Sequence, residues 1–415
     1  MQPNGDRWEA EVDRVRRLLG APHNPTLLPP HFVKATLPRI GGHVVVAQRG
    51  SRILGVGFLL PRRVEAGRRI YTLRYHRLGS LGEASPSELV AQVEQLLAGD
   101  RAEFYDPTEP QTYRSELLAG HRADDLYLAR PGEADARAIR ALQAAVWQGE
   151  PDTLYPVDIH SVGFGSVQSL VAHSGDRMLG FLFGFYAFSG WPLPSALWVQ
   201  SPGFRLESQV LAVSPDARHH GVATALKLGQ AQLARQLGID VVHWTFDPLQ
   251  FANAALNVGR LRAVAAVHLP GYYPFVNVLN RVTASRLGVT WTIASRRVAP
   301  ALRADAKAHV LDLRDDPSVV RVNDGPEARR LDADADAIAV EIPPRWTELQ
   351  AEAPGLALRW REATDRLFAR YLGWTADRYV LTDVGVDGER RYLVARRADD
   401  ALLAQLASTD GVDAA

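Results

Sequence analysis

A short loop of small and basic residues, Arg218-His219-His220-Gly221-Val222-Ala223, carries the clearest chemistry in the chain. An apolar strand pattern ending at Val213 precedes the loop, and an amphipathic helical pattern follows it directly. A strand, a tight loop and a helix start present unpaired backbone N–H groups at the positive end of a helix dipole. Such a site suits an anion, in particular a pyrophosphate. Gly221 and Ala223 are small where a phosphate would approach the backbone, and Arg218 supplies positive charge.

The loop resembles the most diagnostic motif of the GNAT superfamily of N-acetyltransferases, which is (Gln/Arg)-x-x-Gly-x-(Gly/Ala) between a strand and a helix. Val241-Val-His-Trp-Thr-Phe-Asp-Pro-Leu249 and Leu269-Pro-Gly-Tyr-Tyr-Pro274 resemble a bacterial branch of uncharacterised predicted acetyltransferases in that superfamily. Ala357-Leu-Arg-Trp-Arg-Glu-Ala-Thr364 resembles the C-terminal stretch of the same branch. The resemblance covers residues 127–396 of the 415.

This resemblance implies an acyl-CoA thioester bound where two neighbouring parallel strands splay apart. The co-substrate would be acetyl-CoA or another short acyl-CoA, with no metal. The pantetheine would run along the strand that ends at Val213, and the pyrophosphate would lie on the loop N–H groups. The residues implied in CoA binding are Leu211, Ala212, Val213, Arg218, His219, His220, Gly221, Val222, Ala223, Thr224 and Asn253.

Two of the polar residues in this region have an alternative interpretation of equal or greater weight. Asn253 is either a CoA contact or a helix N-cap, a position that asparagine favours. Asp247 follows a predicted strand at its C-terminal end, where α/β sheets place ligands. It either orients a substrate amine or, as the favoured alternative, caps the turn with Pro248.

For catalysis, the resemblance implies an acid that protonates the leaving thiolate and a base that takes the amine proton. Tyr273 fits the position of the acid best and Tyr272 next, although either tyrosine is equally well a packing residue. Glu207 fits the position of the base, on the strand before the loop. We favour a solvated surface glutamate there, because the branch carries a histidine-rich stretch at these positions and this chain does not.

A sequence repeat links the two halves of the N-terminal region. Residues 45–58 align with residues 170–183 at an offset of 125, and seven of the fourteen pairs are identical. Each copy reads as two apolar strands around a polar turn, at Gly50 and at Gly175, which predicts a β-hairpin. A helical pattern precedes each hairpin, at residues 9–19 and 133–147.

These patterns predict an α/β (α+β) fold with tandem GNAT-like domains, each a twisted mixed sheet flanked by helices. Residues 1–125 form a degenerate copy, because the stretch at Gly79-Ser-Leu-Gly82 has no matching arginine and no Gly-x-Ala at the helix start. Residues 126–300 form the active, CoA-binding copy with the splayed-strand cleft. Residues 301–415 form a further α/β segment, and one alternative has it complete the sheet of the first domain.

Composition narrows the classes of function. With 47 basic and 47 acidic residues the net charge is zero, which argues against a nucleic-acid partner. The chain has no cysteine, so thiolate chemistry is excluded, and His219 and His220 lack further ligands at metal-binding spacing. Residues 1–17 lack the apolar core of a signal peptide and no stretch is apolar for long enough to span a bilayer, so we expect a cytoplasmic protein without membrane contact.

The sequence therefore predicts an N-acyltransferase that moves an acetyl or other short acyl group to a small-molecule amine such as an amino acid, by direct attack in a ternary complex. A homodimer is compatible with it. The alternative from another class is a non-catalytic CoA-binding or regulatory module.

Overall fold

The structure, a computed structural model, describes residues 5–78, 85–109, 112–123, 126–147, 150–197, 203–273 and 281–407. Helices and mixed β-sheets alternate along these residues, which confirms the predicted α/β class. The chain divides into two compact units, which we call unit 1 (residues 1–190 and 203–233) and unit 2 (residues 191–202 and 234–415). The predicted domain boundaries after residues 125 and 300 remain a prediction.

Unit 1 contains two sheets and the helices that pack on them. Its helices are α1 (Gly5–Leu18), α2 (Leu37–Arg39), α3 (Pro86–Leu96), α4 (Glu133–Trp147) and the start of α5 (Val222–Gln236). Its strands are β1 (His43–Arg49), β2 (Arg52–Glu65), β3 (Arg68–Arg77), β4 (Arg101–Tyr105), β5 (Glu116–Ala123), β6 (Leu126–Arg130), β7 (Val167–Ser174), β8 (Arg177–Ala187) and β9 (Arg205–Val213).

The first sheet of unit 1 has the order β1-β2-β3-β4, and the second runs β5-β6-β7-β8-β9 with every pair antiparallel. Apolar side chains of β2 and β8 share one buried core, including Phe58, Phe181, Phe183 and Phe185, all at most 1% exposed. Burying one such side chain contributes about 1.5–3 kcal/mol, so this core is a large part of the stability of unit 1.

Both predicted hairpins form, and their registers are the same. In the first, Ala47 pairs with Gly55 and Gln48 with Ile53, which leaves Leu54 as an extra, bulged residue. In the second, every corresponding pair lies 125 positions later, and Leu179 is the bulged residue. A shared bulge position is a specific structural feature. It supports the prediction that the two copies are related.

Unit 2 holds the C-terminal elements. Its strands are β10 (Val241–Phe246), β11 (Val264–Tyr273), β12 (Ala284–Thr292), β13 (Val310–Asp312), β14 (Val319–Arg321), β15 (Asn323–Asp324), β16 (Glu327–Ala328), β17 (Ala337–Ile342), β18 (Tyr379–Asp387) and β19 (Arg390–Arg397). Its helices are α6 (Phe251–Ala254), α7 (Trp346–Glu352), α8 (Pro354–Tyr371) and α9 (Asp400–Ala407).

The main sheet of unit 2 has the order β14-β17-β19-β18-β11-β12-β10. The bridge Ala265 to Leu381 joins β11 to β18. The C-terminal strands therefore extend the sheet of β10 to β12, and not the sheet of the first copy that the sequence offered as the alternative. The turn residues Asp387-Gly388 between two apolar runs predict a further hairpin, which is present, with Gly388 at φ +56°.

Two element predictions need correction. The alanine-rich pattern of residues 252–266 predicts one helix, but the helix ends much earlier, because a π-helical turn (Ala255–Arg260) follows α6 and β11 begins at Val264. The apolar pattern after the loop predicts that Val222, Leu226, Leu233 and Leu237 share one face of α5. The first three are buried, but Leu237 is 49% exposed and lies just beyond the helix. Among the described residues, no helix is long and apolar enough to cross a membrane.

Candidate functional site

The strand that leads to the loop is interrupted by a bulge. Phe183 of β8 pairs with Val210 of β9, and the next residue, Gly184, pairs with Ser208. Gln209 is therefore an extra residue on β9. A bulge bends its strand and disrupts the hydrogen-bond ladder, and bulges are frequent beside active sites. The residues predicted to contact pantetheine, Leu211–Val213, follow the bulge directly.

The loop ends in a helix start that has no side-chain cap. The Gly221 carbonyl accepts from the Ala225 N–H at 2.9 Å, so Gly221 is the N-cap of α5 and offers no side-chain acceptor. Its φ of +75° is in the left-handed region, and His219 has a φ of +68°. A Cβ built on Gly221 meets no atom within 4 Å, so the space above the helix start is open.

The charge at this helix start is also favourable for an anion. The first turn of α5 has no acidic residue, and Arg218 to Gly221 are exposed. The first N–H groups of a helix have no partner within it. These N–H groups, the positive end of the α5 dipole and the Arg218 guanidinium together form an anion site that needs no side chain to move.

A buried lysine that the sequence analysis did not single out holds α5 against β9. The Lys227 ammonium donates to Ser208 Oγ at 2.8 Å and to Gln230 Oε1 at 3.1 Å, and Lys227 is 3% exposed. Ser208 immediately precedes the bulged Gln209. Burial lowers the pKa of Lys227 well below its usual range. The signal available in the sequence was a lysine on the apolar face of the helix, one of three lysines in the chain.

The corresponding helix start in the first copy is closed. Ser85 Oγ accepts from the Glu88 N–H at 3.2 Å, and the Glu88 carboxylate accepts from the Ser85 N–H at 2.7 Å. This capping box satisfies the N–H groups of Ser85 and Glu88, Pro86 has no N–H group, and Glu88 places a negative charge in the first turn of α3. The predicted absence of the phosphate loop at residues 79–82 falls outside the described residues.

Glu207, the predicted base, is buried and paired. It is 4% exposed, and its carboxylate lies 2.7 Å from the Arg39 guanidinium of α2. The interpretation as a solvated surface glutamate is therefore wrong. If Glu207 served as the base, its ion pair with Arg39 would be lost in each turnover, which argues for a structural role.

The two candidate acids lie side by side at the end of β11. The rings of Tyr272 and Tyr273 are 4.9 Å apart at 73°, both residues are half-buried, and the Arg286 guanidinium lies 4.8 Å over the Tyr273 ring. The motif at residues 269–274, with its proline and glycine, predicts a turn, but Tyr273 is a strand residue that pairs with Ala284. Pro274, the last residue of the motif, lies outside the described residues.

Asp247 is fully enclosed by protein partners. The Arg361 guanidinium lies 2.9 Å from both carboxylate oxygens, Trp346 Nε1 donates at 3.2 Å, and the Leu249 N–H donates at 3.0 Å. Asp247 and Arg361 are 2% and 3% exposed. The buried pair joins the two motif segments that carried the family resemblance, and breaking such a pair costs about 3–5 kcal/mol. We assign Asp247 a role in positioning the end of β10.

Asn253 is exposed in the first turn of α6. The structure gives the N-cap position to Gln250, so the N-cap interpretation of Asn253 is wrong and its side chain is available to a ligand. Among the residues that the structure describes, no three His, Cys, Asp or Glu side chains group as they would around a metal ion, and this holds for His219 and His220 as well.

Comparison with solved structures gives several structural neighbours at low sequence identity. NAA60 of Arabidopsis thaliana, solved in complex with acetyl-CoA, is 15% identical with a TM-score of 0.34, and the match covers 40% of this chain and 98% of that one. The ribosomal-protein-S18-alanine N-acetyltransferase of Escherichia coli is 13% identical with a TM-score of 0.30, covering 40% and 94%. The IAA acetyltransferase of Bacillus cereus is 12% identical with a TM-score of 0.28, covering 40% and 97%.

No family model and no curated protein matches the chain. Two of the three neighbours are acetyltransferases by name, and the third was solved with acetyl-CoA. Since their TM-scores lie below 0.5, the function has to be argued from the chain's own residues.

Proposed function

We propose that the protein is an acyl-CoA-dependent N-acyltransferase, which moves an acetyl or other short acyl group to the amine of a small molecule such as an amino acid. The observation that carries the proposal is the open start of α5, where an uncapped, non-acidic helix terminus follows a bulged strand. The pyrophosphate of CoA would bind the N–H groups at residues 219–224, and the pantetheine would run along Val210–Val213.

Electrostatics supports a polyanionic ligand of this kind. Hydrogen bonds to a charged partner contribute about 1.5–3 kcal/mol each, and several N–H groups at the helix start can act together. The exposed Arg218 adds a guanidinium at the entrance of the loop. Because these groups are exposed and fixed by the backbone, binding would weaken as salt screens the charges.

In the proposed reaction, the neutral amine attacks the thioester carbonyl in a ternary complex, and the C–S bond breaks as the C–N bond forms. Tyr273, or Tyr272 beside it, would protonate the leaving thiolate. Glu207 keeps its ion pair with Arg39 and would shape the strand, rather than accept the proton.

The alternative function is a CoA-binding or regulatory module without catalysis. The open helix start supports it equally, because binding of the pyrophosphate requires no reaction. Release of free CoA thiol from acetyl-CoA with pooled amines distinguishes the two: steady release supports the transferase, and stoichiometric binding without release supports the module.

Gly221→Glu tests the binding site itself. A carboxylate at this N-cap would occupy the pyrophosphate position and repel it, so we expect loss of measurable CoA affinity by calorimetry. Ser87→Glu, the same charge change in the first turn of α3, is the matched control and should leave the affinity unchanged. Wild-type affinity in Gly221→Glu would contradict the assignment of the site.

A further inference from the structure

The two predicted copies in unit 1 are joined through the segments that lead from their first helix to their hairpin. We call these the linking segments, residues 19–42 in the first copy and residues 150–166 in the second. In the first linking segment, the Arg39 guanidinium at the end of α2 lies 2.7 Å from the Glu207 carboxylate of β9. The first linking segment therefore contacts the third strand of the second copy.

The second linking segment is held in the corresponding way. Thr72 Oγ1 on β3, the third strand of the first copy, donates to the Phe164 carbonyl at 2.7 Å. Phe164 lies 125 positions after Arg39, which is the offset of the sequence repeat. Thr72 and Glu207 occupy the same place in their hairpins, because their partners on the second strands are also 125 positions apart. The contact between the copies is thus reciprocal, as it is across the interface of a twofold dimer.

The charges across this interface are divided between the copies. In three buried ion pairs the arginine belongs to the first copy and the carboxylate to the second: Arg16 with Asp152 at 2.9 Å, Arg39 with Glu207 at 2.7 Å, and Arg74 with Asp158 at 2.8 Å. All six side chains are at most 18% exposed. Two second copies docked in the same way would bring carboxylates together without arginines. The first copy is therefore the partner that this face of the second copy fits.

The Arg39 contact acts on the strand of the proposed CoA site. Glu207 and Ser208 directly precede the bulged Gln209 on β9. Successive side chains of a strand point to opposite faces. Glu207 accordingly faces α2, and Ser208 faces α5, where it accepts from the Lys227 ammonium at 2.8 Å. A buried cationic side chain thus holds the start of the bulge on each face of the strand.

We propose that the first copy is a built-in partner that completes the second copy, and that its Arg39 is a positioning residue for the CoA-binding strand; this inference rests on the function proposed above. The ion pair with Glu207 holds β9 just before Val210–Val213, where the pantetheine would run. The net stability from a buried ion pair is small, because desolvation offsets the attraction of the charges. What the pair adds is one defined geometry for the strand.

Arg39→Met combined with Glu207→Leu separates placement of the strand from stability. Replacing a buried ion pair by apolar side chains is often neutral or stabilising, so the melting temperature should not fall. CoA affinity, measured by calorimetry, should fall by about 10- to 100-fold, because a displacement of about 1 Å is enough to disrupt a preorganised site.

Arg16→Met combined with Asp152→Leu is the matched control. It removes another buried ion pair between the same two copies, at α1 and not at β9. CoA affinity should stay within about twofold of wild type, since changes at separate sites act independently. An equal loss of affinity in both double variants would show that docking of the copies in general controls the site, and would overturn the specific role of Arg39.

Arg39→Gln tests the positioning without any ligand. The amide keeps a hydrogen-bond donor for Glu207 and removes only the charge, so the fold should be retained. In the ligand-free protein, the backbone amides of residues 208–211 should exchange with solvent about tenfold faster than in wild type. Arg16→Gln should leave the exchange of these residues unchanged.

The outcomes distinguish this inference from the proposed function. If the wild type binds no CoA, the function proposed above fails, and the role of Arg39 in CoA binding fails with it. If the wild type binds CoA, and Arg39→Met with Glu207→Leu folds and binds it equally well, the positioning role alone is overturned. Unchanged exchange at residues 208–211 in Arg39→Gln overturns that role as well, whatever the protein does with CoA.

Discussion

The two predicted copies have the same hairpin structure, but they differ at the helix start that follows their third strand. Their hairpins have the same register and the same bulge, and in both copies a helix N-cap follows the third strand by eight positions, at Ser85 after Arg77 and at Gly221 after Val213. At that N-cap the first copy has a capping box, and the second has a glycine.

The consequence is a difference between a closed and an open helix start. A capping box stabilises a helix by about 1 kcal/mol and satisfies two of the N–H groups that an anion would otherwise contact. The second copy lacks this stabilisation, because its N-cap residue Gly221 has no side chain that could accept a hydrogen bond. Sites where a local stability rule is broken are frequently functional, and an open helix terminus in an otherwise well-packed unit is such a break.

The third strands differ as well. In the first copy, Phe58 pairs with Arg74 and Leu59 with Leu73 without an extra residue between them. On its other edge, β3 forms five parallel pairs with β4. The second copy has the extra residue Gln209 at the corresponding place. The copy with the open helix start is therefore also the copy whose third strand is bulged. Both features suit the proposed CoA site, in which the pantetheine follows β9 and the pyrophosphate lies at the start of α5.

Giving the second copy the acidic residue of the first should have the largest effect. Thr224 occupies the position of Glu88, three residues after the N-cap. Thr224→Glu should weaken CoA binding by about 100-fold or more, because the carboxylate repels the pyrophosphate. The same charge favours the helix dipole, so the melting temperature should not fall. Calorimetry and thermal unfolding measure the two effects, and reduced affinity together with a lowered melting temperature would indicate damage to the fold instead.

The buried Lys227 should make the stability of the second copy depend on pH. The first copy has Ala91 at this position, so it has no such dependence. The folded pKa of Lys227 lies below its unfolded value of 10.5, so the unfolded chain binds more protons between the two values. The free energy of unfolding should rise with pH in that interval, by up to about 1.4 kcal/mol per pH unit. Denaturant titrations of wild type and Lys227→Met should diverge there. If wild type and Lys227→Met showed the same pH dependence, burial would not disfavour the charged form of Lys227.

The smallest effect is expected from removing the capping box at the start of α3 in the first copy. Ser85→Gly with Glu88→Thr gives α3 the residues of α5, and loss of the capping box should lower the free energy of unfolding by about 1 kcal/mol. CoA affinity should remain that of wild type, because the first copy also lacks the bulge and the arginine. Denaturant unfolding and calorimetry check both, and a second CoA site in this variant would show that the cap alone closes the first copy.

The sequence was informative where local chemistry decides the structure. The hairpins, the strand Val241–Phe246 and the loop-to-helix transition at Val222 follow from turn residues and hydrophobic periodicity. The sequence pattern predicts too long a helix after Phe251. The alanine-rich periodicity continues into residues that pair with neighbouring strands as part of β11.

The partners of the charged candidates could not be predicted. Arg39 for Glu207 and Arg361 for Asp247 lie 168 and 114 positions away along the chain, so only the fold brings them together. The polar candidates were therefore identified by type and position, but whether each is free or already paired depends on the tertiary structure.

Hydrogen exchange of the backbone amides at both helix starts, with and without CoA, tests the central claim most directly. CoA should slow exchange at residues 219–224 and leave residues 87–89 unchanged, because the open helix start binds the pyrophosphate and the closed one cannot. Unchanged exchange at residues 219–224 with saturating CoA, or equal protection at both helix starts, would contradict the account.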